Sequence, residues 1–172
     1  MRIPVESRTS YRGRNWRPNW LALVIFVAVA LAVGALGAAF RSAAGTLWYA
    51  SLVKPAWAPP VRWFAPVWSV LYVLMGLAAW LVWHERYHRA RNAALLAFAI
   101  QLFLNALWAP VFFGARSIGA GLFVIVALWL SLVWTIREFA AVKPAAAWLL
   151  VPYAGWVSGA VALNLHIWRH NS

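Results

Sequence analysis

Cysteine and aspartate are both absent from this 172-residue chain, and the only acids are Glu6, Glu85 and Glu138. Without cysteine there is no disulfide framework, no thiolate nucleophile and no cysteine-ligated metal, and the redox compartment stays open. Without aspartate a Ser-His-Asp set cannot be assembled. No phosphate-binding glycine loop is present, so hydrolytic chemistry has no signature. No internal repeat is found either, which leaves an inverted-repeat transporter unsupported. Charged residues make up only 10% of the chain, too few to coat a soluble domain, whereas 65% are hydrophobic.

What is present in quantity is uncharged sequence. Five runs, Leu21–Phe40, Trp63–Trp83, Asn92–Ala115, Ser117–Ile136 and Pro144–Trp168, each carry no Lys, Arg, Asp or Glu. A helix needs about 20 apolar residues to cross a bilayer, and only helices or closed barrels satisfy their backbone there. The spacing predicts an all-α integral membrane protein, a five-transmembrane-helix bundle with a structured long loop between helices 1 and 2. Leu21–Phe40 is longer than the core of a usual signal peptide and reads as the first span. His84–Arg89, Gly114–Arg116 and Arg137–Lys143 are the expected short links, which make sequential helices antiparallel neighbours. Pro110 and Pro152 fall inside spans, where membrane helices tolerate kinks.

The net charge of +12 lies between the apolar runs rather than in a soluble basic patch. It predicts topology signals and contacts with the lipid bilayer, and no nucleic-acid partner. Residues 1–19 read as a basic disordered tail, and 20–172 as a single five-helix membrane domain. One side collects Arg2, Arg8, Arg12, Arg14, Arg17, Arg86, Arg89, Arg91, Arg137 and Lys143; the other has Arg41, Lys54, Arg62, Arg116 and Arg169. The richer side, with the N-terminus, is expected in the cytoplasm. Trp16, Trp20, Trp83, Trp148 and Trp168 lie near span ends, as interfacial anchors do.

The most informative stretch is Leu47–Met75. Lys54-Pro55 and Pro59-Pro60 stop any helix and hold a loop carrying Trp48, Tyr49, Trp57 and Trp63. Beyond it Phe64, Trp68, Tyr72 and Met75 share one helical face. Gln101, Asn105 and Trp108 make a polar and aromatic face on the third span, where amides serve packing, a ligand or both. Trp156, Ala160 and Leu163 make a comparable face on the fifth. Gly155 and Gly159 form a small-xxx-small pair expected to pack within the bundle, and Asn164 is expected to pack or cap. Aromatic faces from three helices suit a flat, largely apolar ligand.

His84-Glu85-x-x-His88 matches a zinc-protease pattern. It sits at a membrane boundary within a basic cluster, and His166, a further candidate ligand, lies about 30 Å away if 20 helical residues separate them. A solvated interfacial cluster with no metal is expected instead. No span contains an acid for proton or sodium coupling.

The sequence resembles the tryptophan-rich sensory protein and translocator protein family, also known for the peripheral benzodiazepine receptor. The likeness rests on Trp48-Tyr49, Lys54-Pro55, Trp57, Pro59-Pro60, Phe64, Val67-Trp68, Leu71-Tyr72 and Gln101-Leu102. It continues through Leu104-Asn105, Leu107-Trp108, Phe112-Phe113-Gly114, Pro152-Tyr153, Trp156 and Leu163-Asn164. The resemblance implies a homodimeric membrane receptor or sensor that binds porphyrins (protoporphyrin IX, haem) and benzodiazepine- or isoquinoline-type ligands, influencing tetrapyrrole level or transport. Implied ligand contacts, together with those read from the faces above, are Trp57, Phe64, Trp68, Tyr72, Gln101, Asn105, Trp108, Trp156, Ala160 and Leu163.

The alternatives are a light- and oxygen-dependent porphyrin-degrading enzyme, with Trp68 and Trp156 as the catalytic pair, or a porphyrin or sterol transporter. The family's sterol motif has a tyrosine where this chain has Leu165, although Arg169 is present, so the likeness does not carry sterol recognition across. No cofactor is required; porphyrin or haem would be a ligand. Porphyrin carboxylates are expected near the loop, met by Lys54, Arg62 or indole N–H groups.

Overall fold

The structure, a computed structural model, describes residues 19–41 and 46–171. Most of the expected basic tail and the expected anchor Trp16 lie outside the described residues. Helix α1 runs Trp20–Phe40, and a short helix α2, Thr46–Ser51, opens the loop. Helices α3 (Phe64–His84), α4 (Arg91–Ala109), α5 (Ile118–Val142) and α6 (Pro144–Asn171) follow. Among the described residues there is no strand. Among the described residues five segments are long and apolar enough to cross a membrane; at about 1.5 Å per residue, the 21 residues of α1 span about 32 Å. The protein is an integral multi-pass membrane protein.

The five long helices form a ring. α3 packs between α1 and α6, α5 between α6 and α4, and α4 closes against α1. Small residues make the α1–α3 seam possible. A Cβ on Gly76 would come within 2.6 Å of the Val27 Cα, so only glycine admits that approach. The α1 start is fixed locally: the Asn19 side chain accepts from the Ala22 amide at 3.1 Å, and its carbonyl accepts from the Trp80 indole at 3.2 Å.

Three features depart from expectation. α5 does not end at Ile136; it runs through Arg137 and Glu138 to Val142, leaving Lys143 as the only non-helical link to α6. One turn closes the reason: Glu138 Oε1 accepts from the Trp134 indole at 3.1 Å, and the true breaker is Pro144. Pro110 does more than kink α4. It opens a π-helical turn, Pro110–Gly114, whose wider turn lays Phe112 nearly parallel to Trp108 with centroids 5.2 Å apart. Gly155 and Gly159 pack against no helix, for nothing lies within 4 Å of a Cβ added at either.

The expected anchors Trp20 (66% exposed), Trp148 (73%) and Trp168 (42%) keep much of their surface outside the bundle. Trp83 is half-buried, with the Arg86 and Arg91 guanidinium groups 5.2 and 5.9 Å from its ring.

Candidate functional site

A cavity of about 410 Å³ opens inside the ring, beneath the loop. Trp57 and Pro59 reach it from the loop; Phe64, Trp68 and Tyr72 come from α3, Asn105 and Trp108 from α4, Trp156, Ala160 and Leu163 from α6. The four-residue spacing of Phe64, Trp68 and Tyr72 puts all three on the inward face of α3. Trp68 stacks on Tyr72 at 5.3 Å and meets Trp156 edge to face at 6.5 Å. Phe64 meets the same Trp156 at 5.9 Å. Edge-to-face pairs across helices hold aromatic walls at a defined angle. Gly155 and Gly159 line the cavity, so their missing side chains widen it rather than admit a neighbouring helix.

The floor is a buried relay of hydrogen bonds. Tyr72 Oη donates to Asn105 Oδ1 at 2.6 Å, and Asn105 Nδ2 donates to Tyr153 Oη at 2.6 Å. Tyr153 Oη in turn donates to Gln101 Oε1 at 3.3 Å. Amides at membrane depth need partners, and here three helices supply them. Gln101 is wholly buried and does not line the cavity; of the ten expected ligand contacts it alone stands behind the wall. Tyr153, which the sequence did not single out as a site residue, is the centre of the relay. Its signal was available: Tyr153 lies three residues before Trp156, on an adjoining part of the same helix face.

Lys54 is placed differently from expectation. Its Nζ donates to the carbonyls of Tyr49 (2.7 Å), Ala50 (3.2 Å) and Leu52 (2.7 Å), closing the C-terminal end of α2. An ammonium has three protons, so a ligand carboxylate finds none left over. It also stands 4.9 Å over the Tyr49 ring, whose phenol pKa burial pushes up, keeping the hydroxyl neutral. Arg62 is exposed and lines no part of the cavity. Arg41, at the end of α1, does line it.

The zinc-protease pattern is not built. α3 stops at His84, so His84 and His88 do not share a helical face, and Glu85 pairs with Lys143 at 2.8 Å. Among the described residues no three His, Cys, Asp or Glu side chains cluster as a metal site.

A family model for the TspO/MBR family matches residues 26–169, spanning all five long helices. The chain belongs to the TspO/MBR family. A tryptophan-rich protein TspO from Chlorobaculum tepidum is 42% identical over 152 residues, covering 88% of this chain and 96% of that protein. Protein CrtK of Rhodobacter capsulatus is 44% identical over 153 residues, covering 88% and 92%. The translocator protein of Ovis aries is 39% identical over 157 residues, covering 90% and 92%. The TspO/MBR match runs through the α3, α4 and α6 segments that bear the aromatic walls.

Proposed function

We propose that the protein is a membrane receptor for porphyrin-type ligands, held flat in the aromatic cavity, and that through them it acts on tetrapyrrole level or transport. The observation that carries this reading is the meeting of Trp68 and Trp156 from two helices at one wall, with Trp108 of a third facing the same space. Indoles at fixed angles favour a planar guest, and the few polar groups aim it. Synthetic ligands of benzodiazepine or isoquinoline type share that chemistry, with aromatic ring systems and a carbonyl.

Quenching of tryptophan fluorescence by protoporphyrin IX tests the proposal. Wild type is expected to saturate, and Trp68→Ala and Trp156→Ala to bind about tenfold more weakly each, since an aromatic contact of roughly 1.4 kcal/mol is one decade. Trp148→Phe, at an exposed site, serves as the control. Equal affinity in all variants would remove the site.

A second reading, porphyrin photo-oxidation, is favoured by the run of oxidisable rings Trp156, Trp68, Tyr72 and Tyr153. Trp68 meets Tyr153 at 6.0 Å as well as its other neighbours. Under light an excited macrocycle beside Trp68 can oxidise the indole or pass its energy to dioxygen. Bleaching of bound porphyrin that is light-dependent in wild type and lost in a Trp68→Phe, Trp156→Phe double variant supports it; unchanged bleaching rejects it. Transport is separated from both by measuring porphyrin flux into sealed liposomes.

A further inference from the structure

The far end of α3, away from the aromatic cavity, turns into α4 through residues 85–90. Short backbone bonds hold this corner. The Glu85 amide donates to the Val82 carbonyl at 3.1 Å, Arg86 to His84 at 2.9 Å, His88 to Glu85 at 3.0 Å and Arg91 to His88 at 3.1 Å. A turn closed at each step is set before any partner arrives, which lowers the cost of binding one.

The side chains that leave the corner are donors. The guanidinium groups of Arg86 and Arg91 stand 5.2 and 5.9 Å from the Trp83 ring, so two planar forks gather at one indole. Arg91 is anchored there: its Nε donates to the Trp83 carbonyl at 2.9 Å and its Nη1 to Asn92 Oδ1 at 3.3 Å. A guanidinium has five N–H groups, and the rest of them stay unspent. Arg86 is exposed and meets only the Trp83 ring. His88 Nδ1 accepts from the Ala90 amide at 3.2 Å, which leaves the proton of the neutral ring on Nε2, a further exposed donor. α4 begins with no capping side chain and no acid in its first turn, so its dipole adds to the positive field.

No carboxylate offsets these groups. The near acid, Glu85, is held by Lys143 from the α5–α6 link at 2.8 Å. Among the described residues Arg86, Arg89 and Arg91 pair with no acid.

The corner also has an apolar side. Trp83 lies in the last turn of a membrane span and meets Phe26 of α1 at 6.1 Å. Beside Phe26, Leu21 and Ile25 are exposed on the outside of the bundle. Donors at the membrane edge therefore stand above a surface suited to hydrocarbon, which fits a molecule with an anionic head and apolar tails.

We propose that the α3–α4 corner binds one phospholipid with an anionic headgroup, its phosphodiester held by Arg86 and Arg91 beside Trp83 and its chains laid against Phe26 and the outer face of α1. Selectivity follows from the missing acceptor. A zwitterionic headgroup brings an ammonium that finds no free carboxylate and is repelled by three arginines, whereas an uncharged glycerol beside the phosphate meets neither problem. The site is separate from the aromatic cavity and does not depend on what the cavity holds.

The test titrates the purified protein in neutral detergent with phosphatidylglycerol and with phosphatidylethanolamine of the same chains, counting bound lipid by native mass spectrometry. Wild type is expected to take a first phosphatidylglycerol about tenfold or more tightly than a first phosphatidylethanolamine. In the Arg86→Gln, Arg91→Gln double variant that ratio is expected to fall to within about threefold. The Arg86→Lys, Arg91→Lys double variant keeps the charge but not the forks, and is expected to lie between. Arg137→Gln with Arg169→Gln removes the same charge elsewhere and is expected to leave the ratio in place. Arg91 also ties the corner together, so circular dichroism melting accompanies each variant; Arg86→Gln alone breaks no hydrogen bond and is expected to lower the ratio by itself. A ratio that survives both Arg86→Gln and the double variant overturns the site, and so does one that falls equally in the Arg137, Arg169 control, the mark of a diffuse basic surface. Displacement of phosphatidylglycerol by millimolar inorganic phosphate also overturns it, since the corner would then be a site for free anions. Porphyrin quenching is expected to be unchanged in every variant, whichever way the lipid result falls.

Discussion

Asn171, at the end of α6, holds both backbone polar groups of Val53: the Val53 amide donates to Oδ1 at 2.8 Å, and Nδ2 donates to the Val53 carbonyl at 3.1 Å. The same Nδ2 donates to the Ile167 carbonyl at 2.8 Å, which fixes the side chain for the task. The last turn of the bundle thereby pins the loop that brings Trp57 and Pro59 over the cavity. Asn171→Ala removes bonds worth about 0.5–1.5 kcal/mol each, at the lower end because the site is exposed. Global stability is expected to change little. Hydrogen exchange at the Val53 amide is expected to accelerate, and bound protoporphyrin IX to dissociate severalfold faster in stopped flow. Unaltered exchange at Val53 would mean that the loop is held elsewhere.

The floor relay makes Asn105 a structural residue before it is a ligand contact. Asn105→Ala strands the buried Tyr72 hydroxyl and takes from Tyr153 Oη its amide donor, leaving Tyr153 only its longer bond to Gln101. A loss of roughly 1–3 kcal/mol is expected, seen as a lower melting temperature in detergent. Tyr72→Phe keeps the stack on Trp68 and is expected to cost less. A melting temperature equal to wild type in Asn105→Ala would show that the relay does not hold α3, α4 and α6 together.

Two kinds of glycine are expected to respond oppositely to alanine. At Gly76 the new Cβ would sit 2.6 Å from the Val27 Cα, and backbone on a packed helix cannot step aside cheaply. Gly76→Ala is expected to destabilise by about 1–3 kcal/mol. At Gly155 nothing lies within 4 Å, so Gly155→Ala is expected to keep or raise stability, by up to about 1 kcal/mol from helix propensity. It narrows the cavity, and quenching titrations are expected to show weaker porphyrin binding at undiminished melting temperature.

The orientation prediction rests on a count of ten basic residues against five, half of the ten being in the N-terminal tail. An accessibility tag after Ser172 is expected to be reached from outside the cytoplasm. Labelling of that tag only after the membrane is opened would reverse the assignment.

The five spans were legible because uncharged runs of about 20 residues have one stable form in lipid. The aromatic faces were legible because a period of four is visible in the letters Phe64, Trp68, Tyr72. Neighbours were not. Periodicity shows that Gly155 and Gly159 share a face, but the ring order of helices decides that the face borders a cavity. Lys54 looked available to a ligand because the prolines beside it concealed α2, whose carbonyls claim it. Arg137 and Glu138 looked like a link because charge marks a membrane edge, yet a helix can continue past that edge until a proline stops it. Arg41 carried a usable signal, the first charge after the apolar run that leads into the loop, but in the letters it reads only as one of the topology charges.

The π-helical turn at Pro110–Gly114 has a further effect on what sequence changes the protein can absorb. An α-helix advances about 100° per residue at 3.6 residues per turn. Deleting Val111 would restore ordinary pitch and swing everything downstream by roughly that angle, carrying Phe112 off Trp108 and the tight corner at Arg116 (φ 52°) out of reach of α5. Point substitutions there test side chains, but a single-residue deletion tests phase, and this is the place in the bundle where losing one letter would cost more than changing several.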